Sequence, residues 1–205
     1  RSAKRWLRPG YPVNVEKVYA FTRPAPFGPP WKKGNAAPGT LNWVVPGISI
    51  SSGGHINIFR MIGALEDQGF ECRIILMGDP QYPTPAAAHA AICKHFNRVK
   101  ASVTFHSMSG LTLAPTWAPA WAPAWATIAT SWQTAYPVRD FQNTAKKFYF
   151  IQDFEPFFYA HGSDHFFAEQ TYRFGFHAVT AGAWLAQKLS SDYGMRADSY
   201  HFSYD

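Results

Sequence analysis

The chain has 205 residues, a hydrophobic content of 47% and a formal net charge of +6 at pH 7. This length suits one domain, or one lobe of a larger enzyme, and the hydrophobic content is typical of a globular protein that buries a core. The longest apolar runs are far too short to span a bilayer. Two cysteines, Cys72 and Cys93, form no metal-binding or redox motif, which favours a reducing cytoplasm as the location of the protein.

The positive charge is concentrated near the amino end. Residues 1–33 contain one acidic residue, Glu16, and eight basic ones: Arg1, Lys4, Arg5, Arg8, Lys17, Arg23, Lys32 and Lys33. A basic arm of this kind predicts peripheral contact with anionic lipid head groups or lipid-linked phosphates at the inner face of the plasma membrane, or else a solvated tail. Nucleic acid is not an expected partner, because the basic excess is not spread over a face that bears aromatic residues.

Taken in chain order, residues 1–40 form a Pro-rich extension with no clean periodicity and one short strand predicted near residues 15–21. From residue 41 onward, strands and helices alternate. Strands are predicted at 41–46, 71–77, 101–106, 126–130, 147–152 and 177–181, and helices at 54–68, 86–97 and 183–190. This alternation predicts an α/β fold with a Rossmann-like, doubly wound, mainly parallel sheet. In such a sheet, ligands bind at the carboxyl ends of the strands.

The first predicted strand runs into a turn that contains Gly53, Gly54 and His55, and a helix follows. A strand, a Gly-rich turn and a helix leave backbone N–H groups pointing outward at the helix N-terminus, where they attract a phosphate or another anion. The pattern is neither a dinucleotide fingerprint nor a P-loop. The turn therefore predicts either an anionic or polar ligand, which His55 can also hydrogen-bond, or only a close packing of helix against strand.

A second informative run follows the strand predicted at 147–152, where Asp153 and Glu155 precede several aromatic residues. Polar groups directly after the carboxyl end of a strand face the cleft of an open α/β sheet. We expect both carboxylates to lie outside the core, one as a base and the other holding a hydroxyl group, with the aromatic residues as a sugar platform. The alternative is that Asp153 caps the next helix and Glu155 is solvated. The strand predicted at 126–130 brings Ser131 and Trp132 to the same rim, where Ser131 is best explained as a helix cap.

Two further motifs have structural explanations. His161 and His165 have no third ligand at a matching spacing, so a flexible loop with Asp164 as a helix cap is favoured over a metal site. Residues 114–125 contain three consecutive four-residue units that each end in Trp and carry Pro in the second position. Proline at every fourth position excludes a helix interior and predicts an extended or turn-rich loop. Its tryptophans either stack on sugar rings or pack against the domain.

Three segments, 42–65, 126–139 and 147–188, together resemble the N-terminal lobe of the GT-B glycosyltransferases of family 4. Within that family they are most similar to the bacterial rhamnosyltransferases that build S-layer and other surface glycans. The Gly-Gly loop after the family's first strand is matched by residues 53–57. The Tyr-Phe-x-Gln-Asp-Phe-Glu-Pro run of the family is matched by residues 149–156, and its Thr-Ala-Gly-x-Trp-Leu run by residues 180–185.

The resemblance implies a two-lobed enzyme of which this chain is an incomplete piece, inactive alone. Residues 41–195 would form the acceptor-binding lobe and residues 196–205 the start of the interlobe linker, while a C-terminal lobe would bind the donor. It also implies transfer without a metal or cofactor, of rhamnose or a related sugar from a dTDP-sugar to a glycan or lipid-linked glycan of a surface polysaccharide. A non-catalytic carbohydrate-binding module of the same fold, and a stand-alone nucleotide-binding domain, remain the alternatives.

The resemblance also implies roles for individual residues. Those near the donor diphosphate or the acceptor would be Gly53, Gly54, His55 and Asn57. The catalytic pair beside the reacting hydroxyl group would be Asp153 and Glu155. Weaker candidates for acceptor contact are Ser131, Trp132, Gln152 and Tyr159.

Overall fold

The computed structural model describes residues 36–78, 81–106 and 120–201. They contain a seven-stranded sheet, in which every pair of neighbouring strands is parallel and the strand order is β3-β2-β1-β4-β5-β6-β7. The strands are β1 (Thr40–Pro46), β2 (Glu71–Met77), β3 (Ser102–His106), β4 (Ala124–Ala129), β5 (Thr144–Ile151), β6 (His177–Ala181) and β7 (Arg196–Tyr200). The predicted α/β, Rossmann-like parallel sheet is therefore confirmed.

Helices cover both faces of the sheet. They are α1 (Gly53–Asp67), α2 (Pro85–His95), α3 (Trp132–Asp140), α4 (Ser163–Thr171) and α5 (Ala183–Tyr193), with a 3₁₀ helix at Glu155–Phe158. In β1, Trp43 belongs to a core cluster with residues of α1 and α2, whereas Val44 belongs to a cluster with residues of α3 and α5. Successive residues of a strand point to opposite faces, so these two clusters lie on opposite sides of a doubly wound sheet.

The central strands are nearly continuous apolar runs because both of their faces are covered. In β1 every residue from Thr40 to Val45 is buried, and Trp43 lies in register with Ile74 of β2 and Ile128 of β4. Strands with this pattern are recognisable in the sequence, and the six predicted strands differ from the observed ones by at most a few residues at their ends.

Some predictions at the ends of elements were wrong. Residues 196–200, expected at the start of a linker, form the edge strand β7 and pair with β6. The N-cap of α4 is Gly162, and Asp164 lies in the first turn of that helix instead of capping it. The basic arm and the strand predicted near residues 15–21 lie outside the described residues. Among those that are described, no helix has the length and the apolar character needed to cross a membrane.

The Ala-Pro-x-Trp segment is described only from residue 120 onward. Trp121 is buried, with its ring 5.3 Å from that of Phe141 and 5.4 Å from that of His106. Trp125 belongs to β4, and the Lys146 amine lies 5.0 Å from its ring centroid. The described tryptophans of the repeat, Trp121 and Trp125, therefore pack against the domain, which is the second of the two alternatives that the sequence left open.

Candidate functional site

The carboxyl edge of the sheet contains the point where the strand order reverses. From β1 the chain proceeds outward to β2 and β3, and it then returns to the other side of β1 to form β4 through β7. The connections after β1 and β4 therefore diverge onto opposite faces, which leaves a crevice between them. Ligands bind at this place in open α/β sheets.

Gln152 bridges two connections across this crevice. It follows β5, and its Nε2 donates a hydrogen bond to the Gly54 carbonyl oxygen at 3.0 Å while its Oε1 accepts one from Asn57 Nδ2 at 2.9 Å. Because β4 lies between β1 and β5, this Gln152 bridge passes over the end of a whole strand. It confirms that the Gly-rich turn and the run after β5 meet on one rim. A Cβ atom on Gly54 would lie 3.3 Å from Gln152 Nε2, so the close approach favours glycine there.

The N-terminus of α1 is open toward the crevice. Its N-cap residue, Ser52, makes no side-chain capping bond, and no acidic side chain occupies the first turn of this helix, all of which is described. Gly53 is exposed, and a Cβ atom built on it meets nothing within 4 Å. The unpaired N–H groups of a first helical turn carry partial positive charge, so this end of α1 can receive an anionic group.

His55 lies in the interior instead of on the rim. It is 8% exposed, and its ring centroid is 6.1 Å from that of Phe59 and 6.2 Å from that of Phe96. Burial lowers the pKa of His55, while the backbone of Pro46 and Gly47 acts in the opposite direction. The imidazole is therefore neutral at pH 7 and packs under α1, so a direct contact between His55 and a ligand stays a prediction.

Glu155 is also buried, and the expectation that it lies outside the core was wrong. Its Oε2 accepts a hydrogen bond from the Trp132 N–H at 2.8 Å, and its Oε1 accepts one from the Tyr149 hydroxyl group at 2.5 Å. Its own N–H donates to the Tyr172 hydroxyl oxygen at 3.1 Å. The 3₁₀ helix that begins at Glu155 turns the side chain back toward β4 and α3. Glu155 thus holds the connection after β4 against the end of β5.

The burial of Glu155 changes its acidity. The pKa of Glu155 is raised from 4.5 to about 7, mainly by desolvation and to a smaller extent by the nearby Asp153 carboxylate, while the hydrogen bonds from Tyr149 and Trp132 act in the opposite direction. A carboxyl group with a pKa near 7 changes its charge in the physiological range. Perturbed groups of this kind cluster at functional sites, although structural networks produce them as well.

Asp153 is the exposed carboxylate of the pair. Its Oδ1 accepts a hydrogen bond from the Phe154 N–H at 2.7 Å, and the side chain faces solvent at the carboxyl edge of the sheet. It does not cap the 3₁₀ helix, whose N-cap residue is Phe154. Of the two predicted carboxylates, Asp153 is therefore the one that can reach a ligand in the crevice without a rearrangement.

Trp132 and Tyr159 form one wall of the rim. Trp132 Nε1 donates a hydrogen bond to the Tyr159 hydroxyl oxygen at 2.8 Å, and the two rings are perpendicular with centroids 5.9 Å apart. Ser131 is the N-cap residue of α3, as predicted, and Thr134 Oγ1 accepts a hydrogen bond from its N–H at 3.0 Å. Both aromatic rings are half-buried, so their faces are held in place and remain accessible at the edge.

Exposed apolar residues also lie at this edge, and the sequence indicated only those that follow Glu155, as part of a sugar platform. Ile50, Phe158 and Trp184 are 52%, 62% and 61% exposed, and they follow β1, β5 and β6 respectively. Phe157, 69% exposed, lies beside Phe158 in the 3₁₀ helix. Their position in the sequence could have indicated this exposure, because an apolar residue shortly after the end of a strand lies at the edge of the sheet, outside the core.

His161, in the turn before α4, and His165, in the first turn of that helix, lie side by side. The rings of His161 and His165 are 4.4 Å apart, and His165 Nδ1 lies 2.8 Å from the Pro156 carbonyl oxygen. Within the described parts of the chain, no three His, Cys, Asp or Glu residues are grouped so that they can hold a metal ion.

Comparison with known proteins gives a distant relative but no family. No family model matches the chain. The chain is 29% identical over 159 residues to the O-antigen biosynthesis protein RfbC of Myxococcus xanthus, an alignment that covers 76% of this chain. The chain spans about 12% of the length of that relative.

Proposed function

We propose that this chain is the acceptor-binding lobe of a nucleotide-sugar-dependent glycosyltransferase that acts in the biosynthesis of a surface polysaccharide. The Gln152 bridge carries this proposal, because it holds the open N-terminus of α1 and the exposed Asp153 on one rim. The parallel sheet with its switch point, and the similarity to a protein named for O-antigen biosynthesis, support the same class of function.

In this proposal the acceptor hydroxyl oxygen attacks the anomeric carbon of the donor sugar, and the bond from that carbon to the diphosphate breaks. The diphosphate leaves with the electron pair, and the N–H groups at the start of α1 stabilise its charge. Asp153 accepts the proton of the attacking hydroxyl group. The perpendicular rings of Trp132 and Tyr159 pack against the acceptor.

Glu155 has a different role from the one that the sequence predicted. Both of its carboxylate oxygens accept hydrogen bonds from the protein, so we assign it as a positioning residue that fixes the Trp132 backbone. Gln152 is likewise a positioning residue, since its amide oxygen and nitrogen both bind α1. Asn57 acts through Gln152, and Gly53 and Gly54 supply the helix N-terminus.

The finer features of the proposal rest on the family resemblance. They are a dTDP-sugar donor, rhamnose or a related sugar as the transferred group, independence of metal ions, and a second lobe that completes the donor site. A basic segment at residues 1–33 suits a lipid-linked acceptor, because it would hold the protein near an anionic membrane.

The test is sugar transfer by the longest native protein that contains this chain, with a panel of dTDP-, UDP- and GDP-sugars. We expect transfer from a dTDP-sugar, and a loss of at least about 100-fold on replacement of Asp153 by Asn, the range that a positioned base contributes. Asp164, an exposed residue at the start of α4, provides the matched control through Asp164→Asn. Equal activity of the two variants would remove Asp153 from the site.

A carbohydrate-binding module without catalysis is the second candidate. The exposed Phe157 and Phe158 favour it, because aromatic faces at an edge are suited to stacking on sugar rings. This candidate predicts that the protein binds glycan without transferring sugar from any donor of the panel. It also predicts that Phe158→Ala weakens glycan binding while Asp153→Asn does not.

A further inference from the structure

A groove at the amino edge of the sheet lies opposite the candidate site. It has a volume of about 640 Å³ and crosses the amino ends of β5, β6 and β7. Ligand sites in proteins fall in the range of about 300–1,000 Å³. Neither the proposed transfer reaction nor the family resemblance gives this groove a role.

The groove is positively charged. Its lining includes Lys146, Lys147, Arg173, His177 and Arg196, and among the described residues that line it there is no Asp or Glu. Two of the basic groups have acidic partners just outside. Arg173 lies 3.7 Å from Glu169, and His177 lies 2.7 Å from Asp198.

Arg196 at the start of β7 is one of three exposed basic residues in this lining, with Lys146 and Arg173. It is exposed, and within the described part of the chain no carboxylate lies within ion-pair distance of it. It pairs in register with His177 of β6. Arg196 lines the groove, and a guanidinium group has the donor geometry that matches a pair of phosphate oxygens.

Lys147 adds a charge from the floor of the groove. Its side chain is 5% exposed, and its Nζ donates a hydrogen bond to the Arg139 carbonyl oxygen at 2.5 Å. Burial lowers the pKa of Lys147 to about 8, while the nearby Asp140 raises it and Arg139 lowers it. The Lys147 amine is thus still mostly protonated at pH 7, so this buried side chain contributes a positive charge to the groove.

Helix ends explain only part of this charge. α4 and α5 end near the groove, and cations such as Arg173 offset the negative end of a helix dipole. Lys146 lies within β5, where its amine is 5.0 Å from the Trp125 ring centroid, and Arg196 lies three residues after the end of α5. Phe148 and His177, whose ring centroids are 5.6 Å apart, also line the groove and give it an aromatic wall.

We propose that this amino-edge groove binds a phosphate-bearing ligand with at least two negative charges. Four of the basic residues, Lys146, Lys147, His177 and Arg196, lie on three neighbouring strands, which are about 4.8 Å apart, so this row of side chains extends over about 10 Å. One monovalent anion cannot contact a row of that length, whereas a diphosphate can. The same chemistry is presented by a free diphosphate compound and by an anionic lipid head group.

The experiment measures pyrophosphate binding by titration calorimetry with the wild-type chain, Arg196→Glu and a matched control, Arg98→Glu. Arg98 is an exposed arginine next to β3, at the far side of the sheet. We expect Arg196→Glu to weaken binding at least tenfold, Arg196→Lys to restore most of it, and Arg98→Glu to leave it within twofold of the wild type. Circular dichroism establishes that each variant is folded.

Vesicles distinguish the two sources of phosphate. Co-sedimentation with phosphatidic acid vesicles that depends on Arg196, with no binding to phosphatidylcholine, assigns the groove to a lipid head group. Binding of pyrophosphate alone assigns it to a free diphosphate compound. Failure of both probes to bind, or an equal effect of Arg196→Glu and Arg98→Glu, overturns the proposal. Asp153→Asn is expected to leave pyrophosphate binding unchanged, so the groove and the proposed transfer site can fail independently.

Discussion

Replacement of Glu155 by Gln tests whether the buried carboxyl group is a structural element that resists ionisation. Gln has almost the same shape, and it can keep both contacts. Its amide oxygen accepts the hydrogen bond from the Trp132 N–H, and its amide nitrogen donates to the Tyr149 hydroxyl oxygen, in place of the carboxyl oxygens that now accept from both groups. The variant is therefore expected to fold and to lose only the ionisation of residue 155.

The expected magnitude follows from the pKa of Glu155, which rises from 4.5 to about 7 in the folded chain. Each unit corresponds to 1.36 kcal/mol, so ionisation of the buried group costs about 3 kcal/mol of stability. Below pH 4.5 the group is protonated in both the folded and the unfolded chain, and no cost arises. As the pH rises from about 4.5 to 7 the unfolded chain releases this proton first, so the wild type loses stability over this window.

The assay is urea unfolding of the wild type and of Glu155→Gln at pH values from 4 to 8.5. The free energy of unfolding of the variant, relative to the wild type, should rise by about 3 kcal/mol between pH 4 and pH 8. Every other titratable group is common to both proteins, so its contribution cancels in the difference. Asp67→Asn, which removes an exposed carboxylate at the end of α1, controls for the loss of one surface charge. A difference between Glu155→Gln and the wild type that stays constant with pH would refute the reasoning.

Three further predictions concern the packing and chemistry of the same rim. Gly54→Ala places a Cβ atom 3.3 Å from Gln152 Nε2, whereas the Cβ atom of Gly53→Ala meets nothing within 4 Å. Urea unfolding should therefore show Gly54→Ala to be less stable than Gly53→Ala by about 1 kcal/mol, which is the value of one hydrogen bond. Equal stabilities of the two variants would contradict the Gln152 bridge. Asp153→Asn, at an exposed position, should change the free energy of unfolding by less than about 0.5 kcal/mol, and a larger loss would show that this carboxylate supports the fold. Trp121→Ala should lose about 3–5 kcal/mol because its indole is buried against Phe141, and a loss below about 1 kcal/mol would place that ring outside the core.

The fold was predictable because its central strands are buried on both faces. A run such as β1 then reads as continuous apolar sequence, and helical periodicity between the runs indicates a parallel sheet. The edge strand β7 was missed for the converse reason. Its residues are Arg-Ala-Asp-Ser-Tyr, which lie at the margin of the sheet and bury little apolar surface. A short polar edge strand has no hydrophobic pattern that separates it from a linker.

The candidate site was predictable in its position but only partly in its chemistry. The rim follows from topology alone, since residues after parallel strands share one edge. The burial of Glu155 does not, because it depends on hydroxyl groups of Tyr149 and Tyr172 and on the Trp132 N–H, which three separate elements bring together. His55 shows the same limitation. Its ring contacts Phe59, one helical turn later in α1, and Phe96 at the end of α2. The contact with Phe96 depends on the packing of α2 against α1, so the sequence around His55 alone indicates an exposed turn.

The most direct test of the proposed carboxyl-edge site is amide hydrogen exchange in the longest native protein that contains this chain, with and without the nucleotide-sugar that it uses in the transfer assay. Slower exchange is predicted at residues 53–57 and 152–155, which the Gln152 bridge joins, with no change at residues 173–177 on the opposite edge. Slower exchange confined to residues 173–177, or unchanged exchange in both segments of the rim, would contradict the account.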